Sequence, residues 1–197
     1  MRSSLLRHEG GLERSGSGIQ LVFQDPSDAL NPRHAVRSAV ARPAQLLRGL
    51  SRGEAEAEAN RLLSLVRLPE GIGNRYPAEL SGGERQRVGI ARALAATPEV
   101  MICDEITSAL DVSVQAAVLD LIADLRESLG LSLLLITHDL GVVSTIADRV
   151  LVLEQGNIVE GGETRDVLMS PQHPYTKSLL AAAPSLSKSL GTVGATP

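Results

Sequence analysis

The alternation of short apolar runs with amphipathic segments after residue 80 is the feature that most constrains the fold. Residues 100–103 and 133–136 are apolar throughout, and the segment 111–129 between them repeats apolar side chains at helical spacing. Apolar runs that alternate with helices are typical of a parallel sheet covered by helices on both faces. The pattern therefore predicts an α/β fold built on such a sheet.

The rest of the chain divides into a lead, one domain and a tail. Residues 1–18 mix charge with Gly and Ser and are predicted to be a flexible lead, the domain spans 19–183, and 184–197 form a C-terminal tail. The further predicted elements are a strand at 19–23, helices at 36–47, 54–66, 81–96, 139–147, 164–169 and 175–183, and a hairpin that joins 150–153 to 158–160.

Composition and charge exclude several classes of protein. The formal net charge of −4 and the pI of about 5.6 argue against a nucleic-acid partner bound through a basic face. No apolar run approaches the roughly 20 residues that a membrane-spanning helix needs. Because Cys103 is the only cysteine, an internal disulfide and a cysteine-ligated zinc or iron–sulfur site are excluded. The composition predicts a soluble, cytosolic protein.

Two adjacent carboxylates, Asp104 and Glu105, follow the apolar run 100–103. The carboxyl ends of strands are where α/β sheets bind ligands. Successive strand residues point to opposite sides, so one carboxylate could organise Mg²⁺ through water while the other polarises an attacking water. Taken alone, the pair is more simply explained as two surface acids.

The segment Ser81, Gly82, Gly83 and Glu84 opens a predicted helix and allows two interpretations. Ser-x-x-Glu is a capping box, in which each side chain bonds the other residue's backbone N–H. The two glycines, which a capping box does not require, also expose backbone amides at a positive helix end, where anions bind. The pair favours a phosphate site.

Three further residues are ambiguous when each is considered alone. Gln24 and His138 each follow a predicted strand, and both positions suit ordinary loop residues. Asp111 precedes a predicted helix and suits an N-cap.

Their order along the chain removes the ambiguity. A glutamine after a strand precedes a helical insertion, then Leu-Ser-Gly-Gly-Glu-Arg-Gln-Arg, apolar-Asp-Glu, Ser-Ala-Leu-Asp and apolar-Thr-His-Asp. Over residues 19–183 this resembles the ATP-binding cassette ATPase domain. The resemblance implies a P-loop NTPase-like parallel sheet with an inserted helical subdomain at about 30–80.

The same resemblance implies ATP and Mg²⁺ as cofactors and gives each residue a role. Asp104 and Gln24 would organise Mg²⁺, Glu105 would be the general base, and His138 would contact the γ-phosphate. The signature motif would be Ser81, Gly82, Gly83 and Glu84, and Asp111 would end the loop that begins at Ser108, all contacting nucleotide.

A finer resemblance concerns the transported substrate. The residues around Gln24, Val-Phe-Gln-Asp-Pro, and the later Ser-Pro-Gln-His-Pro-Tyr-Thr-Lys resemble the peptide and nickel importer subgroup, with peptide favoured. This implies transmembrane permease subunits, a second ATPase subunit and, indirectly, a substrate-binding protein as partners. It also implies a peripheral position on the cytoplasmic face of the inner (plasma) membrane.

One family element is missing from these 197 residues. They contain no Gly-x-x-x-x-Gly-Lys-Ser/Thr phosphate loop and no Gly-Lys pair. The sequence thus resembles a domain without its N-terminal third, whose strand would run between 133–136 and 150–153, and those two runs are expected not to pair. Two alternatives stay open: an inert or partner-completing fragment, and a DNA-repair or chromosome ATPase. The latter is disfavoured because 111–138 leaves no room for its zinc-binding or coiled-coil insertion.

Overall fold

The computed structural model describes residues 18–24, 30–108 and 110–183. The predicted lead, apart from residue 18, and the predicted tail lie outside the described residues. The strands are β1 (Ile19–Val22), β2 (Val100–Asp104), β3 (Ser132–Ile136), β4 (Arg149–Glu154) and β5 (Asn157–Glu163). The α-helices are α1 (Val36–Arg48), α2 (Arg52–Leu65), α3 (Gly82–Leu94), α4 (Val112–Leu129), α5 (Leu140–Ile146), α6 (Thr164–Met169) and α7 (Pro174–Ala181). Each predicted element is found within a few residues of its expected bounds.

Strands β1, β2 and β3 form a parallel sheet with β2 in the centre. On one face of this sheet Met101 and Cys103 are buried in the same cluster as Val88 of α3 and Val118 of α4. Burial among apolar side chains raises the pKa of the Cys103 thiol to about 12, so this cysteine is a core residue. The predicted parallel α/β sheet is confirmed.

The opposite face of the sheet is open among the described residues. The register pairs Leu21 with Ile102 and Ile102 with Leu134, which places these side chains on one face. Ile19, Leu21, Leu134 and Ile136 on this face are between 42% and 57% exposed. Among the described residues the expected helical cover is found on one face only, because apolar residues on a strand indicate what could be buried and not what buries it.

Helices α1, α2 and α3 pack together around small apolar side chains. Val36, Val40 and Ala44 of α1 and Ala55 and Ala59 of α2 have no exposed surface. The alanines let the helix axes approach closely, and these residues belong to the same buried cluster as Met101 and Cys103 of the sheet.

Helix α2 begins two residues before the predicted position because Ser51 caps it. The Ser51 hydroxyl accepts from the Glu54 N–H, and the Glu54 carboxylate accepts from the Ser51 N–H at 2.9 Å. The sequence pattern Ser-x-x-Glu indicates this capping box.

Strands β4 and β5 form an antiparallel hairpin, as predicted. Its turn residues, Gln155 and Gly156, both have positive φ (49° and 82°), the geometry that matches a tight hairpin turn to the twist of its strands. The hairpin forms a separate sheet from β3, which confirms the expectation that β3 and β4 do not pair. Among the described residues, no helix is long and apolar enough to cross a membrane.

Candidate functional site

Three of the predicted site residues meet at the carboxyl edge of the parallel sheet. Gln24, Glu105 and His138 each follow the end of a different strand, and the ends of parallel strands share one edge. The Gln24 side-chain Nε2 donates to Glu105 Oε2 at 3.0 Å, and His138 Nδ1 lies 3.1 Å from Glu105 Oε1. The sequence predicts that Gln24, Asp104, Glu105 and His138 converge at this edge, and hydrogen bonds join three of the four, without Asp104, among the described residues. Their catalytic roles stay predictions.

The backbone around Glu105 is held in an unusual conformation. Its φ of +45° lies in the left-handed region that non-glycine residues rarely adopt. The Glu105 N–H donates to the Ile136 carbonyl at 2.9 Å, and the Glu105 carbonyl accepts from the Ser108 N–H at 3.0 Å. Strained backbone of this kind persists only where neighbouring contacts determine it, and it concentrates at functional sites.

The hydrogen bond to Glu105 assigns a hydrogen to Nδ1 of His138. An ionised carboxylate only accepts hydrogen bonds, so His138 Nδ1 must carry a hydrogen in this arrangement. The other ring nitrogen, Nε2, is left to face a ligand or solvent.

Asp104 is the last residue of β2 and pairs with Ile136 across the sheet, which leaves its side chain half-buried. The carboxylate of Asp104 and the amide oxygen of Gln24 are hard oxygen ligands of the kind Mg²⁺ prefers. The described residues contain no group of three or more His, Cys, Asp or Glu side chains that could hold a metal ion. The donor set fits a Mg²⁺ ion that keeps water and phosphate ligands, and does not fit an all-protein cage.

The Ser81–Glu84 segment forms a complete capping box at the start of α3. The Ser81 hydroxyl accepts from the Glu84 N–H, and the Glu84 carboxylate accepts from the Ser81 N–H and hydroxyl, both at 2.8 Å. These bonds, from the Ser81 backbone first and then its side chain, lower the pKa of Glu84. Among the described residues the Ser81 side chain bonds to Glu84, and no hydrogen bond joins it to Gln24, Glu105 or His138.

The two glycines of this segment differ in how much space surrounds them. A Cβ on Gly83 would lie 2.5 Å from Cγ1 of Val114 on α4, whereas a Cβ on Gly82 would make only an ordinary contact with Leu110. Close packing of α3 on α4 therefore favours glycine at position 83. The phosphate contact expected of Gly82 and Gly83 stays a prediction.

Asp111 is the N-cap of α4. Its carboxylate accepts from the Ser113 hydroxyl at 2.7 Å and from the Val114 N–H at 3.0 Å. The bond from the Ser113 hydroxyl is the main cause of the lowered pKa of Asp111. The capping role anticipated for Asp111 is present, and its contact with nucleotide stays a prediction.

One member of the cluster was not singled out from the sequence as a site residue. The Ser108 hydroxyl lies 3.2 Å from Gln24 Nε2 and 2.9 Å from the Glu105 carbonyl. The available signal was the position of Ser108 at the start of Ser-Ala-Leu-Asp, three residues after Glu105.

Comparison with known proteins identifies the family. A model of the ABC transporter family matches residues 5–108, more than half of the chain, and a model of the oligopeptide/dipeptide transporter C-terminal region matches residues 159–196. The glutathione import ATP-binding protein GsiA of Escherichia coli O6:H1 is 49% identical over 178 residues, and GsiA of Escherichia coli K12 is 48% identical over 178 residues. These matches cover 89% of this chain and 29% of each relative, so the chain spans less than a third of the length of the curated relatives it matches.

A solved structure gives the same result for the fold. The ATP-binding cassette MJ0796, as a dimer in a post-hydrolysis state bound to ADP and Pi, matches with a TM-score of 0.66 and 33% identity. The match covers 75% of this chain and 63% of that chain. The parallel sheet is thus that of a P-loop NTPase, and the chain belongs to the ABC transporter family.

Proposed function

We propose that the chain is the ATP-binding and ATP-hydrolysing part of an ABC importer for peptides, and that it couples ATP hydrolysis to transport. Peptide is favoured over nickel because the C-terminal match is to oligopeptide and dipeptide transporters, and because the curated relatives import glutathione, a tripeptide. The cofactors are ATP and Mg²⁺.

The observation that carries this proposal is the arrangement around Glu105. Its two carboxylate oxygens are each held by one donor, His138 Nδ1 and Gln24 Nε2, and each oxygen keeps a second lone pair for a water molecule. A carboxylate fixed in this way orients a water and accepts its proton, a role typically worth about 10²- to 10⁴-fold in rate.

When bound, ATP and Mg²⁺ supply the phosphoryl group to be transferred and the cation that neutralises its charge. Asp104 and the Gln24 amide oxygen would hold the cation, and His138 Nε2 would face the terminal phosphate. The cradle for the β- and γ-phosphates, with its lysine, is not among these 197 residues. We therefore expect that these residues alone neither bind ATP tightly nor hydrolyse it.

The Ser81 segment acts on the nucleotide of a second ATPase subunit, in a homo- or heterodimer. Support for this comes from the dimeric form of the matched cassette, and from Ser81 making its hydrogen bonds to Glu84 and, among the described residues, none to the Glu105 cluster. Its capping box is closed by residues of α3 alone, so it needs nothing from a phosphate loop. The alternative function, a chain that only completes a partner's site, rests on the same observation.

The remaining partners follow from the helical part of the chain. The helices within about 30–80 form the subdomain that contacts transmembrane permease subunits at the cytoplasmic face of the inner membrane, and a substrate-binding protein acts indirectly through the permease. Crosslinks from residues 30–75 to a cytoplasmic permease loop are the expected result. Crosslinks only from residues beyond Thr164 would contradict it.

The test of the site mixes this chain with an intact homologous ATPase subunit and measures ATP turnover. We expect no turnover by the chain alone and stimulated turnover in the mixture, which Ser81→Arg abolishes. Ser51→Arg is the matched control, because Ser51 closes the same capping box on α2 and should leave the stimulation intact.

Two outcomes would contradict these expectations. Equal loss of stimulation in both arginine variants would mean that capping, and not site completion, explains the effect. Robust hydrolysis by the chain alone that Glu105→Gln abolishes would mean that these residues contain a phosphate site of another kind.

A further inference from the structure

The Ser108 hydroxyl donates one hydrogen bond and accepts another. Its hydroxyl donates to the Glu105 carbonyl at 2.9 Å. Because a serine hydroxyl has one hydrogen, and that hydrogen is used, the 3.2 Å contact with Gln24 Nε2 must be one in which Ser108 Oγ accepts.

This bond determines which way the Gln24 amide faces. Both neighbours of the amide, Glu105 Oε2 and Ser108 Oγ, are acceptors, so both must be met by the two hydrogens of the amide nitrogen. An amide flipped by 180° would place its oxygen against a carboxylate. The network therefore specifies the orientation, and the carbonyl oxygen at the other end of the amide is the group left for a cation or a water.

Gln24 needs such partners because its own torsions do not provide the orientation. The last torsion of a glutamine side chain joins an sp³ to an sp² carbon and has a broad energy profile. With Glu105 as the only partner, the amide would keep one hydrogen bond and could turn about it. A second acceptor at a different position removes that freedom.

We propose that Ser108 is a positioning residue that holds the Gln24 amide with its oxygen presented to the cation. This inference rests on the proposed function, in which that oxygen helps to hold Mg²⁺. Ser108 acts through Gln24 and does not itself touch the reacting atoms.

A purely structural role for Ser108 predicts something different. The Ser108 N–H also donates to the Glu105 carbonyl, at 3.0 Å, so the turn that contains both residues has a backbone bond that does not depend on the hydroxyl. If the hydroxyl served only to close this turn, its loss would lower the order of the Ser108 backbone and the order of the Gln24 side chain to the same extent.

The test measures the order of the Gln24 side-chain amide by ¹⁵N relaxation on the whole 197-residue chain without nucleotide. The amide signals are assigned by their loss in Gln24→Glu. In Ser108→Ala we expect the amide order parameter to fall from near 0.85, typical of rigid groups, to below about 0.6, typical of flexible ones. The backbone order at Ser108 should be unchanged, and Ser108→Thr, which keeps a hydroxyl, should restore the amide order.

Ser113→Ala is the matched control. It removes a hydroxyl hydrogen bond of similar length, to Asp111, at the start of the adjoining helix, and should leave the Gln24 amide ordered. Unchanged amide order in Ser108→Ala, equal loosening of the Ser108 backbone, loss of order in Ser113→Ala, or failure of the threonine variant to restore it would each overturn the inference. Because no nucleotide is present, failure here is separate from failure of the ATP turnover experiment.

Discussion

The packed helices α1 to α3 and the β4–β5 hairpin use the same kinds of apolar side chains with opposite results. Leu62 of α2 is 1% exposed and sits in the main buried cluster, whereas Leu151 of β4 is 58% exposed. The open face of the parallel sheet resembles the hairpin in this respect, with Leu134 and Ile136 largely exposed. The number of apolar residues in a region therefore does not predict how much that region contributes to the free energy of unfolding.

The difference in exposure indicates which apolar side chains stabilise the fold by burial. Burial of a leucine side chain contributes about 1.5–3 kcal/mol, and an exposed one contributes nothing of this. Helices α1 to α3 gain this free energy in the buried cluster that they share with one face of the sheet. The open face of the sheet and the exposed side of the hairpin would gain it only against further polypeptide. Exposed strand residues of this type also promote association.

The largest expected effect comes from the same substitution, leucine to alanine, made once in the helices and once in the hairpin. Leu62→Ala should lower the free energy of unfolding by about 3 kcal/mol, because it leaves a cavity in a close-packed core. Leu151→Ala should change it by less than about 0.5 kcal/mol, because the side chain packs little in the folded state. Urea unfolding followed by circular dichroism at 222 nm measures both.

Similar losses for the two variants would contradict the comparison, since Leu151 would then have to be buried in solution. Leu151→Ala should also reduce the binding of an apolar fluorescent dye to the native chain. Leu62→Ala should not reduce it.

The sequence was sufficient to predict the parts of this structure that depend on periodicity and on strand ends. Gln24, Glu105 and His138 meet because residues that follow parallel strands share one edge, and three apolar runs marked those strands. The Ser81 capping box was likewise predictable, because its two side chains are three positions apart on one helix.

The parts that depend on tertiary approach could not be predicted in this way. The need for Gly83 arises from Val114, which is distant in sequence and approaches only when α3 packs on α4. The bond from Gln24 to Ser108 depends on the left-handed backbone of Glu105, which no side-chain pattern indicates. The open face of the sheet escaped prediction because an apolar strand does not reveal whether a covering element is present.

A smaller effect tests the contact between helices α3 and α4. Gly83→Ala should lower the free energy of unfolding by about 1 kcal/mol, because the new Cβ would lie 2.5 Å from Val114 Cγ1 on a side chain that is stiff at χ1. Gly89→Ala on the same helix has no atom within 4 Å of the new Cβ and should raise it by about 0.5–1 kcal/mol. If both variants were stabilised, α3 and α4 would not be packed as closely as the structure has them.

The smallest expected effect concerns Glu58, which joins α1 to α2. Its carboxylate accepts from Arg61 Nε at 2.8 Å and from Arg48 Nη1 at 3.0 Å, and its side chain is only 16% exposed. The hydrogen bond from Arg61 is the main cause that lowers the pKa of Glu58 to about 2. A pKa lower in the folded than in the unfolded chain means that this carboxylate stabilises the fold above about pH 4.5, and that the contribution is lost as the pH falls towards 2.

Glu58→Gln should therefore lower the free energy of unfolding by up to about 1 kcal/mol at pH 7, because solvent screens a pair at the surface. The difference from the unmodified chain should shrink steadily between pH 5 and pH 2, since protonation removes the same charge that the substitution removes. Glu56→Gln is the control: within the part of the chain that the structure describes, Glu56 pairs only with Arg52 of the same helix, so its removal does not separate the two helices. A difference for Glu58→Gln that stayed constant down to pH 2 would mean that packing, and not charge, links α1 to α2 at this point.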